Sequence, residues 1–476
     1  MEASANRPAP AGGLSYTGDP GTFDEVFTPD GNVRPLYAGL LAEMDAGRLG
    51  EIQAEMQVEL AERGVEFGPP HSRAPFGVDA FPRIFPAGLW ADLEKGLTQR
   101  VKALNAFLDD VYTNRRVVEA GVLPARILDE AMHYEPLMEK VDLPVVAQVA
   151  GPDLVRGADG EFSVLEDNLR TPSGLAYASV GRPVLEKAYA GAGLDPRPYE
   201  STFDLLGRAI RAADPSGQGD PSAALLTDGP ISSAWFEHQE LGRRLGIPLV
   251  SPGDLHPTGG VLMADVDGGQ REIRVLYNRS STERLTLPGD RLTPVGELLA
   301  GPMLAGNLAV VNSFGTGVAD DKAVHCYVDE LISFYLDEEP LLTNAKSYDL
   351  GNPEHREMVL ARLDEVVVKP RWTFGGQDIV IGPRTPADQL EKLASAIRRS
   401  PERFIAQEMV MLSTHPTIFG GTLSPRHIDL RPYVLTIGNE VQVAPEALTR
   451  FARNAGEMIV SSARGGGAKD TWILGT

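Results

Sequence analysis

Residues 223–251 run in strand–helix–strand order, which only a few fold classes accommodate. An apolar run at Leu225-Leu226 leads into Thr227-Asp228-Gly229, a helical pattern follows over residues 232–246, and Pro248-Leu249-Val250-Ser251 has the pattern of a second strand. This βαβ order predicts a parallel sheet in an α/β protein. Asp228-Gly229 would then lie at the carboxyl edge, where such sheets contact ligands. The glycine fingerprint of a dinucleotide site is absent, which favours a structural or substrate-side role for this region.

The size of the chain predicts more than one lobe. Its 476 residues are 42% hydrophobic, and single cores rarely grow beyond roughly 250–300 residues. A helix is predicted from Leu89 to Val111, where apolar residues recur at steps of three and four. Residues 67–78, rich in Gly and Pro, are predicted to form an irregular loop. Asp320 or Asp321 is expected to cap a helix that runs to about Leu336.

Charge and cysteine content limit the partners. The formal net charge of −22 argues against binding to nucleic acid or to an anionic membrane, since both require clustered Lys and Arg. The lone Cys326 excludes an internal disulfide, and neither a signal peptide nor an apolar run of about 18 residues is recognisable. We therefore expect a soluble cytoplasmic protein, and the acidic surface leaves room for a homo-oligomer.

Three oxygen-bearing side chains suggest a metal site. Glu166 and Asn168 are two residues apart in an apparent strand, so their side chains would share one face, and Asp153 follows an apolar run a little upstream. Mg²⁺ commonly binds a few carboxylates together with phosphate oxygens. The pattern predicts a site for a metal–nucleotide complex. A solvated polar pair at a strand edge is the alternative interpretation.

A buried lysine in the second half suggests a phosphate site. Lys369 follows three valines, and an ammonium at the end of a buried strand is costly unless it meets an anion. Gly375 and Gly376 in the next loop would let backbone amides approach a phosphate. The interpretation is a phosphate clamp, and the alternative is a hairpin with a surface lysine.

Further polar residues follow on predicted strands. Gln407 and Glu408 lie where a carboxylate and backbone groups could contact a ribose and an adenine edge. Arg431 and Arg450 offer planar forks for a phosphate or carboxylate, although an ion pair with Asp429 or another carboxylate explains either arginine equally well. Near the end, three glycines precede Lys469, and we interpret residues 461–472 as a mobile flap over the phosphates, with a flexible terminal linker as the alternative.

Taken together, these fragments resemble the circularly permuted ATP-grasp family, type 2. The resemblance is carried by six motifs that occur in the family's order: LEDNLRTPSG at 165–174, GTGVADDK at 315–322, VVK at 367–369 followed by Gly375-Gly376, RHIDLRP at 426–432, LTR at 448–450 and GGGAKDTW at 465–472. Similarities at residues 23–27, 82–83 and 99–108 extend it over nearly the whole chain. The family is distantly similar to glutathionylspermidine synthetase.

The resemblance implies roles for individual residues. Asp153, Glu166 and Asn168 would bind Mg²⁺, and Lys322 and Lys369 the phosphates. Five more residues would contact the nucleotide: Gly375, Gly376, Gln377, Gln407 and Glu408. Arg450, Arg431 and Lys469 would serve catalysis, with the arginines holding the acyl phosphate. Arg170 and Ser173 are expected to touch a substrate carboxylate.

The implied fold is mixed α+β and α/β, a permuted ATP-grasp domain with an inserted βαβ lobe. The expected segments are a flexible N-terminus (1–22), a mainly helical region (23–140), a permuted ATP-grasp segment with the metal strands (141–200), a βαβ substrate-side lobe (201–310) and the nucleotide-binding segment (311–476). Departures from the family pattern, such as Glu446-Ala447 where many relatives have two glycines, indicate a ligase with substrates of its own.

The implied activity is ATP-dependent ligation of a small-molecule carboxylate, of amino-acid or peptide type, to an amine. The product would be an amide or peptide bond formed through an acyl phosphate, with ADP and phosphate released. Two alternatives use the same residues: a small-molecule kinase, and a nucleotide-binding partner protein without turnover.

Overall fold

The computed structural model describes residues 16–42, 44–217, 222–373, 378–419, 422–461 and 465–475. Within these ranges the helices are α1 Pro35–Ala42, α2 Ala46–Glu62, α3 Ala87–Tyr112, α4 Arg116–Glu119, α5 Ala125–Asp129, α6 Leu175–Ala178, α7 Arg182–Ala188, α8 Glu200–Ala212, α9 Trp235–Leu245, α10 Pro294–Leu304, α11 Lys322–His325, α12 Val328–Leu336, α13 Pro353–Leu360 and α14 Ala387–Arg399.

The strands in the same ranges are β1 Glu66–Phe67, β2 Ala74–Pro75, β3 Val78–Phe85, β4 Val149–Ala150, β5 Asp153–Arg156, β6 Phe162–Glu166, β7 Ala223–Leu226, β8 Leu249–Val250, β9 Leu255–Thr258, β10 Val261–Val266, β11 Gly269–Ile273, β12 Val275–Asn278, β13 Thr286–Leu287, β14 Arg291–Leu292, β15 Ala309–Val311, β16 Thr343–Asn344, β17 Ser347–Asp349, β18 Val366–Pro370, β19 Val380–Ile381, β20 Phe404–Glu408, β21 Thr414–Phe419, β22 Thr422–Ile437, β23 Glu440–Phe451 and β24 Gly467–Ile473.

Three sheets organise the molecule. The largest runs β16-β6-β5-β22-β23-β24-β3, with β21 and β4 also paired to β22. A smaller antiparallel sheet runs β17-β20-β18-β19. The third sheet, β15-β12-β7-β8, is parallel throughout. It contains both strands of the βαβ pattern, so the local alternation of strand and helix predicted its direction correctly.

The long hairpin β22–β23 forms the centre of the large sheet. It turns through Gly438-Asn439, where Gly438 has φ +60°, a backbone conformation that two-residue hairpin turns require and that glycine adopts without strain. α3 packs across this sheet, and Trp90, Leu97, Leu104 and Phe107 on its inner face are fully buried. The predicted helix 89–111 is therefore confirmed, because its apolar spacing faces a core.

Two segments differ from the sequence-based prediction. Residues 67–78 were expected to be irregular, but they contain the hairpin β1–β2 and lead directly into β3. Every residue of β3 is buried, although β3 is the outermost strand of the large sheet. The strand therefore shows no polar–apolar alternation, and it could not be recognised from pattern alone. The expected helix 322–336 is divided into α11 and α12, and Asp321 caps α11 by accepting from Ala323 N.

The expectation of a C-terminal flap is wrong for the described part of residues 461–472. Residues 467–473 form β24, which lies between β23 and β3 in the large sheet. The glycines permit close packing: a Cβ on Gly467 would lie 2.3 Å from the Phe451 ring, and one on Gly466 would lie 2.4 Å from Phe451 O. They indicate a tight approach of two strands, since neither position has room for a side chain.

In the part of the chain that the structure describes, no helix combines the length and the apolar character needed to cross a bilayer.

Candidate functional site

A cavity of about 400 Å³ lies between the large sheet and the sheet β17-β20-β18-β19. Its lining includes most of the residues singled out by the sequence: Asp153, Glu166, Asn168, Arg170, Ser173, Lys322, Lys369, Gln407, Glu408, Arg431 and Arg450. Gly375, Gly376 and Gln377 fall outside the described residues. Segments that are up to about 300 positions apart in the chain therefore meet in one cavity.

The three predicted metal ligands come together at one end of β5 and β6. Asp153 and Glu166 are paired residues on these adjacent antiparallel strands. Asn168 lies just beyond the end of β6, and its Nδ2 is 3.0 Å from Gly151 O and 3.4 Å from Asp153 Oδ1. The side chains thus converge through strand pairing and a turn, not through the single strand face that their spacing suggested.

Two arginines share the Asp153 carboxylate. Arg431 Nε lies 2.6 Å from Asp153 Oδ1, and Arg450 Nη2 lies 2.6 Å from Asp153 Oδ2. Arg450 also pairs with Asp429 at 2.5 Å. Burial raises the pKa of Asp153, but the two guanidinium groups outweigh it and lower that pKa to about 2. The alternative expected from the sequence, an ion pair with Asp429, is therefore present alongside the contact to Asp153.

Both lysines point toward this cluster from the other side of the cavity. Lys322 is the first residue of α11, and its Nζ lies 3.9 Å from Glu166 Oε2 and donates to Thr373 O. Lys369 on β18 is only 7% exposed, and its Nζ donates to Gln407 Oε1 at 2.6 Å. Burial lowers the pKa of Lys369, and nearby Glu166 opposes this shift. A buried ammonium of this kind suits an anionic ligand.

The donor chemistry of the cluster fits a hard divalent cation. Two carboxylates and one amide oxygen are oxygen ligands, and Mg²⁺ usually completes such a small set with water and phosphate oxygens. Within the described ranges no group of three or more His, Cys, Asp or Glu side chains is arranged as a metal site. Asp153, Glu166 and Asn168 would accordingly hold the ion jointly with a nucleotide.

Gln407 and Glu408 line the cavity, but their side chains are engaged by the protein. Gln407 Nε2 donates to Ser347 Oγ at 3.0 Å while its Oε1 accepts from Lys369, so this residue fixes the lysine. Glu408 accepts from Tyr348 and Arg362. The wall beside them is apolar, a feature the sequence reasoning missed; it is built by Leu165, Val367, Ile381, Met409, Val410, Leu412, Met458 and Val460.

A buried ion pair supports the cluster from behind. Arg100 of α3 donates through Nε and Nη2 to the two oxygens of Asp167, both at 2.6 Å, and His325 of α11 lies 3.0 Å from the same carboxylate. Burial raises the pKa of Asp167, yet the Arg100 guanidinium holds it well below its ordinary value. Since Asp167 stands between Glu166 and Asn168, this contact ties α3 and the lysine-bearing α11 to the oxygen cluster.

Arg170 and Ser173 are held by residues of other segments. Arg170 pairs with Glu283 and lies 3.7 Å from Asp320, whose pKa burial raises to about 6. Ser173 Oγ donates to Glu237 Oε2 at 2.5 Å. The sequence reasoning missed Glu237, although it lies in the predicted helix 232–246, because no local pattern links it to residue 173.

Lys469 was expected to serve catalysis, but it does not line the cavity. Its ammonium is fully buried in the large sheet, where it pairs with Asp79 and donates to Pro416 O at 2.9 Å and Phe81 O at 3.2 Å. Burial lowers the pKa of Lys469, and Asp79 counters that shift. The residue fastens β24 to β3 and β21.

Comparisons with known proteins identify the family of this chain. Residues 82–452 match the family model "Circularly permuted ATP-grasp type 2". The protein named "Putative glutamate--cysteine ligase 2-3" from Frankia alni is 41% identical over 471 residues, which are 95% of this chain and 54% of that protein. This chain thus spans about half the length of that relative.

Other relatives correspond over more of their length. An uncharacterized protein of Mycobacterium tuberculosis is 37% identical over 462 residues, which are 95% of this chain and 84% of that protein. An uncharacterized protein of Synechocystis is 37% identical over 471 residues, which are 96% of this chain and 98% of that protein. The structure of a glutathione synthetase-like effector from Globodera pallida has the same fold, with a TM-score of 0.63 at 12% identity over 91% of this chain and 98% of that one. The chain belongs to the circularly permuted ATP-grasp family, type 2.

Proposed function

We propose that this protein is an ATP-dependent carboxylate–amine ligase that forms an amide or peptide bond through an acyl phosphate and releases ADP and phosphate. Membership of the ATP-grasp family supports the use of ATP with Mg²⁺. The name of the Frankia relative supports ligation of amino-acid-type substrates.

The observation that carries the proposal is the meeting of three kinds of groups in one cavity. Glu166 of the oxygen cluster lies 3.9 Å from Lys322, and Asp153 of the same cluster lies 2.6 Å from both Arg431 and Arg450. Phosphoryl transfer needs positioning and charge neutralisation more than covalent help from the protein. Mg²⁺, when bound, would supply additional neutralisation of phosphate charge at Asp153, Glu166 and Asn168.

In the proposed reaction a carboxylate oxygen of the substrate attacks the γ-phosphorus of ATP, and the bond from that phosphorus to ADP breaks. Lys322 and Lys369 would neutralise the phosphate oxygens, and Gly375, Gly376 and Gln377 would cover them. The amine then attacks the acyl carbon, phosphate leaves, and the amine's surplus proton passes to solvent or to the departing phosphate. Arg450 and Arg431 would stabilise the oxyanion of that second step, and Arg170 and Ser173 would orient the substrate.

The direct test replaces the amine with hydroxylamine and supplies Mg-ATP with a panel of small carboxylic acids. A ligase is expected to release ADP and to accumulate a hydroxamate in equal amounts, because hydroxylamine captures an acyl phosphate. ADP release with a stable phosphoester and no hydroxamate would indicate the kinase alternative. Binding of Mg-ATP without ADP release on any acid would indicate a partner protein without turnover.

A further inference from the structure

One end of the cavity, beyond the two arginines, is lined by aromatic rings. Phe76 and Tyr177 have ring centroids 4.5 Å apart, and Phe67 lies 6.0 Å from Tyr177 and 6.3 Å from Phe76. Leu448 on β23 lines the same end. We call these four residues the aromatic wall. Phe76, Tyr177 and Leu448 are only 2–7% exposed and Phe67 is half-buried, so the accessible area of the aromatic wall is mainly that of Phe67. Covering this area with an apolar group gains free energy roughly in proportion to the area removed from water.

The aromatic wall is fixed in place before any ligand binds. Tyr177 OH donates to Glu66 O at 2.8 Å, which joins α6 to the hairpin β1–β2. On the outer side of the hairpin, Arg73 donates to Ser232 O at 2.9 Å, and Gly68 N donates to Ser233 O at 2.9 Å. A preformed apolar surface binds its ligand without the entropic cost of being ordered.

The aromatic wall is continuous with the arginines. Arg431 Nη1 donates to Ser173 O at 3.4 Å, the next residue is Gly174, and Tyr177 N donates to Gly174 O at 2.9 Å. A Cβ on Gly174 would lie only 2.6 Å from Leu448, so the backbone at Gly174 packs directly against that side chain. A carboxylate held at the arginines would therefore have its attached group directed along this turn to the aromatic wall.

The charges at this end disfavour a second carboxylate on the ligand. Glu237 is buried beside Gly174, whose N–H donates to it at 2.7 Å, and Arg279 balances its charge at 3.1 Å. Arg170 is paired with Glu283. Since Arg279 already balances Glu237, an anionic group beside Gly174 would meet the Glu237 carboxylate without a cation of its own.

We propose that the carboxylate substrate carries an aromatic or branched aliphatic group that packs on the aromatic wall. The inference rests on the proposed ligase function and narrows it: apolar acids are preferred over acids of the glutamate type. Phe67 and Phe76 lie before residue 82, where the match to the family model begins. The specificity would thus come in part from a segment outside the region that defines the family.

The test uses four probe acids: 3-phenylpropanoate, 4-methylpentanoate, propanoate and glutarate. Hydroxamate formation is measured with Mg-ATP and hydroxylamine, and binding is measured separately by calorimetry with Mg²⁺ and a non-hydrolysable ATP analogue. We expect 3-phenylpropanoate and 4-methylpentanoate to form hydroxamate about 10- to 100-fold faster than propanoate and glutarate, and to bind more tightly by the same factor. This is the range that one apolar group in a pocket provides. Phe67→Ala should remove most of this advantage over propanoate.

Two further variants keep the result interpretable. Phe76→Leu shortens the aromatic wall while preserving an apolar core contact, and it should weaken phenylpropanoate more than methylpentanoate. Phe334→Ala removes a half-buried ring on α12, away from the cavity lining, and should change no preference. A loss of all four acids alike in Phe67→Ala would indicate a structural defect and would overturn the inference.

The two proposals fail in different ways. Hydroxamate formed best with glutarate or propanoate would overturn the apolar substrate and leave the ligase standing. Selective binding of the apolar acids without hydroxamate from any acid would overturn the ligase and retain the binding preference. Equal binding of all four acids would overturn the inference whatever the catalytic result.

Discussion

The Arg450 guanidinium and the Asp153 carboxylate form a direct ion pair, with Nη2 2.6 Å from Oδ2. The same carboxylate belongs to the oxygen cluster with Glu166 and Asn168. Because a cation and an arginine would use the same lone pairs, Mg²⁺ at Asp153 would compete with Arg450 for that carboxylate. The guanidinium group would then be available for a substrate oxyanion, while Asp429 at 2.5 Å keeps it in position.

The first prediction concerns this arginine. Arg450→Lys retains one positive charge but loses the fork that reaches Asp153 and Asp429 together. We expect kcat for hydroxamate formation to fall by about 10²- to 10³-fold, the usual effect of losing one oxyanion donor, while the Kd of Mg-ATP stays within about twofold. Arg398→Lys on the exposed face of α14 is the matched control. An unchanged kcat would remove Arg450 from the catalytic machinery.

A second prediction concerns the buried lysine of β18. Lys369→Met keeps the length of the side chain and removes the ammonium, whose charged form burial already disfavours. The free energy of unfolding should stay equal or rise, whereas the Kd of Mg-ATP measured by calorimetry should rise by about 10- to 150-fold, as expected for one charge-assisted hydrogen bond.

For this substitution the control is Lys392→Met on α14, an exposed position where nucleotide affinity should not change. If Lys369→Met bound Mg-ATP as tightly as the unmodified protein, the proposed phosphate contact would be wrong.

A third prediction concerns the oxygen cluster. Glu166→Gln preserves the shape of the side chain but removes a negative charge that a divalent cation would contact. The Mg²⁺ concentration for half-maximal ADP release should rise at least about tenfold. Glu161→Gln, an exposed position just before β6, should leave it unchanged. A Mg²⁺ titration that is identical for both variants would exclude Glu166 as a ligand.

A fourth prediction uses the buried carboxyl of Glu446 on β23. Burial raises the pKa of this carboxyl to about 7, and the Ser179 hydroxyl, the Arg182 guanidinium and the Thr202 hydroxyl oppose the shift only in part. The folded state therefore keeps a proton that the unfolded chain releases near pH 4.5. As pH rises from 4.5 to 7 the free energy of unfolding falls, by about 3 kcal/mol in total.

Glu446→Gln mimics the protonated side chain and should escape this loss. Its unfolding free energy should match that of the unmodified protein near pH 4.5 and exceed it by about 3 kcal/mol at pH 8. Denaturant titrations at several pH values measure the difference. Glu440→Gln, at the exposed start of β23, is the matched control. A constant difference for Glu446→Gln would show that this carboxyl is ionised in the folded state throughout.

Features with a short-range origin were predicted accurately. The buried strand that contains Lys369 forms as β18, and the helix predicted over residues 89–111 forms as α3, because a valine run and an amphipathic period are visible within a few residues. The candidate residues Glu166, Lys322, Lys369 and Arg450 were found through motif order, and the structure brings them to one cavity. Their chemical roles remain proposals.

Features that depend on distant partners were missed or misread. Lys469 was expected to serve catalysis, in a segment interpreted as a flap over the phosphates, but its partner Asp79 lies on a neighbouring strand from the opposite end of the chain. Glu237 accepts a hydrogen bond from Ser173, which lies 64 positions earlier in the chain. No local pattern in either segment predicts this contact.

The sequence by itself determined the parallel βαβ unit, the family and the set of polar residues available for chemistry, because these depend on residue type and on spacing along the chain. Only the tertiary structure decided which lysines face the cavity, which carboxylate the arginines share, and that a hairpin near the N-terminus supplies an aromatic wall. Those outcomes follow from burial and pairing between distant segments, where the free energy of a charge depends on the partner that packing provides.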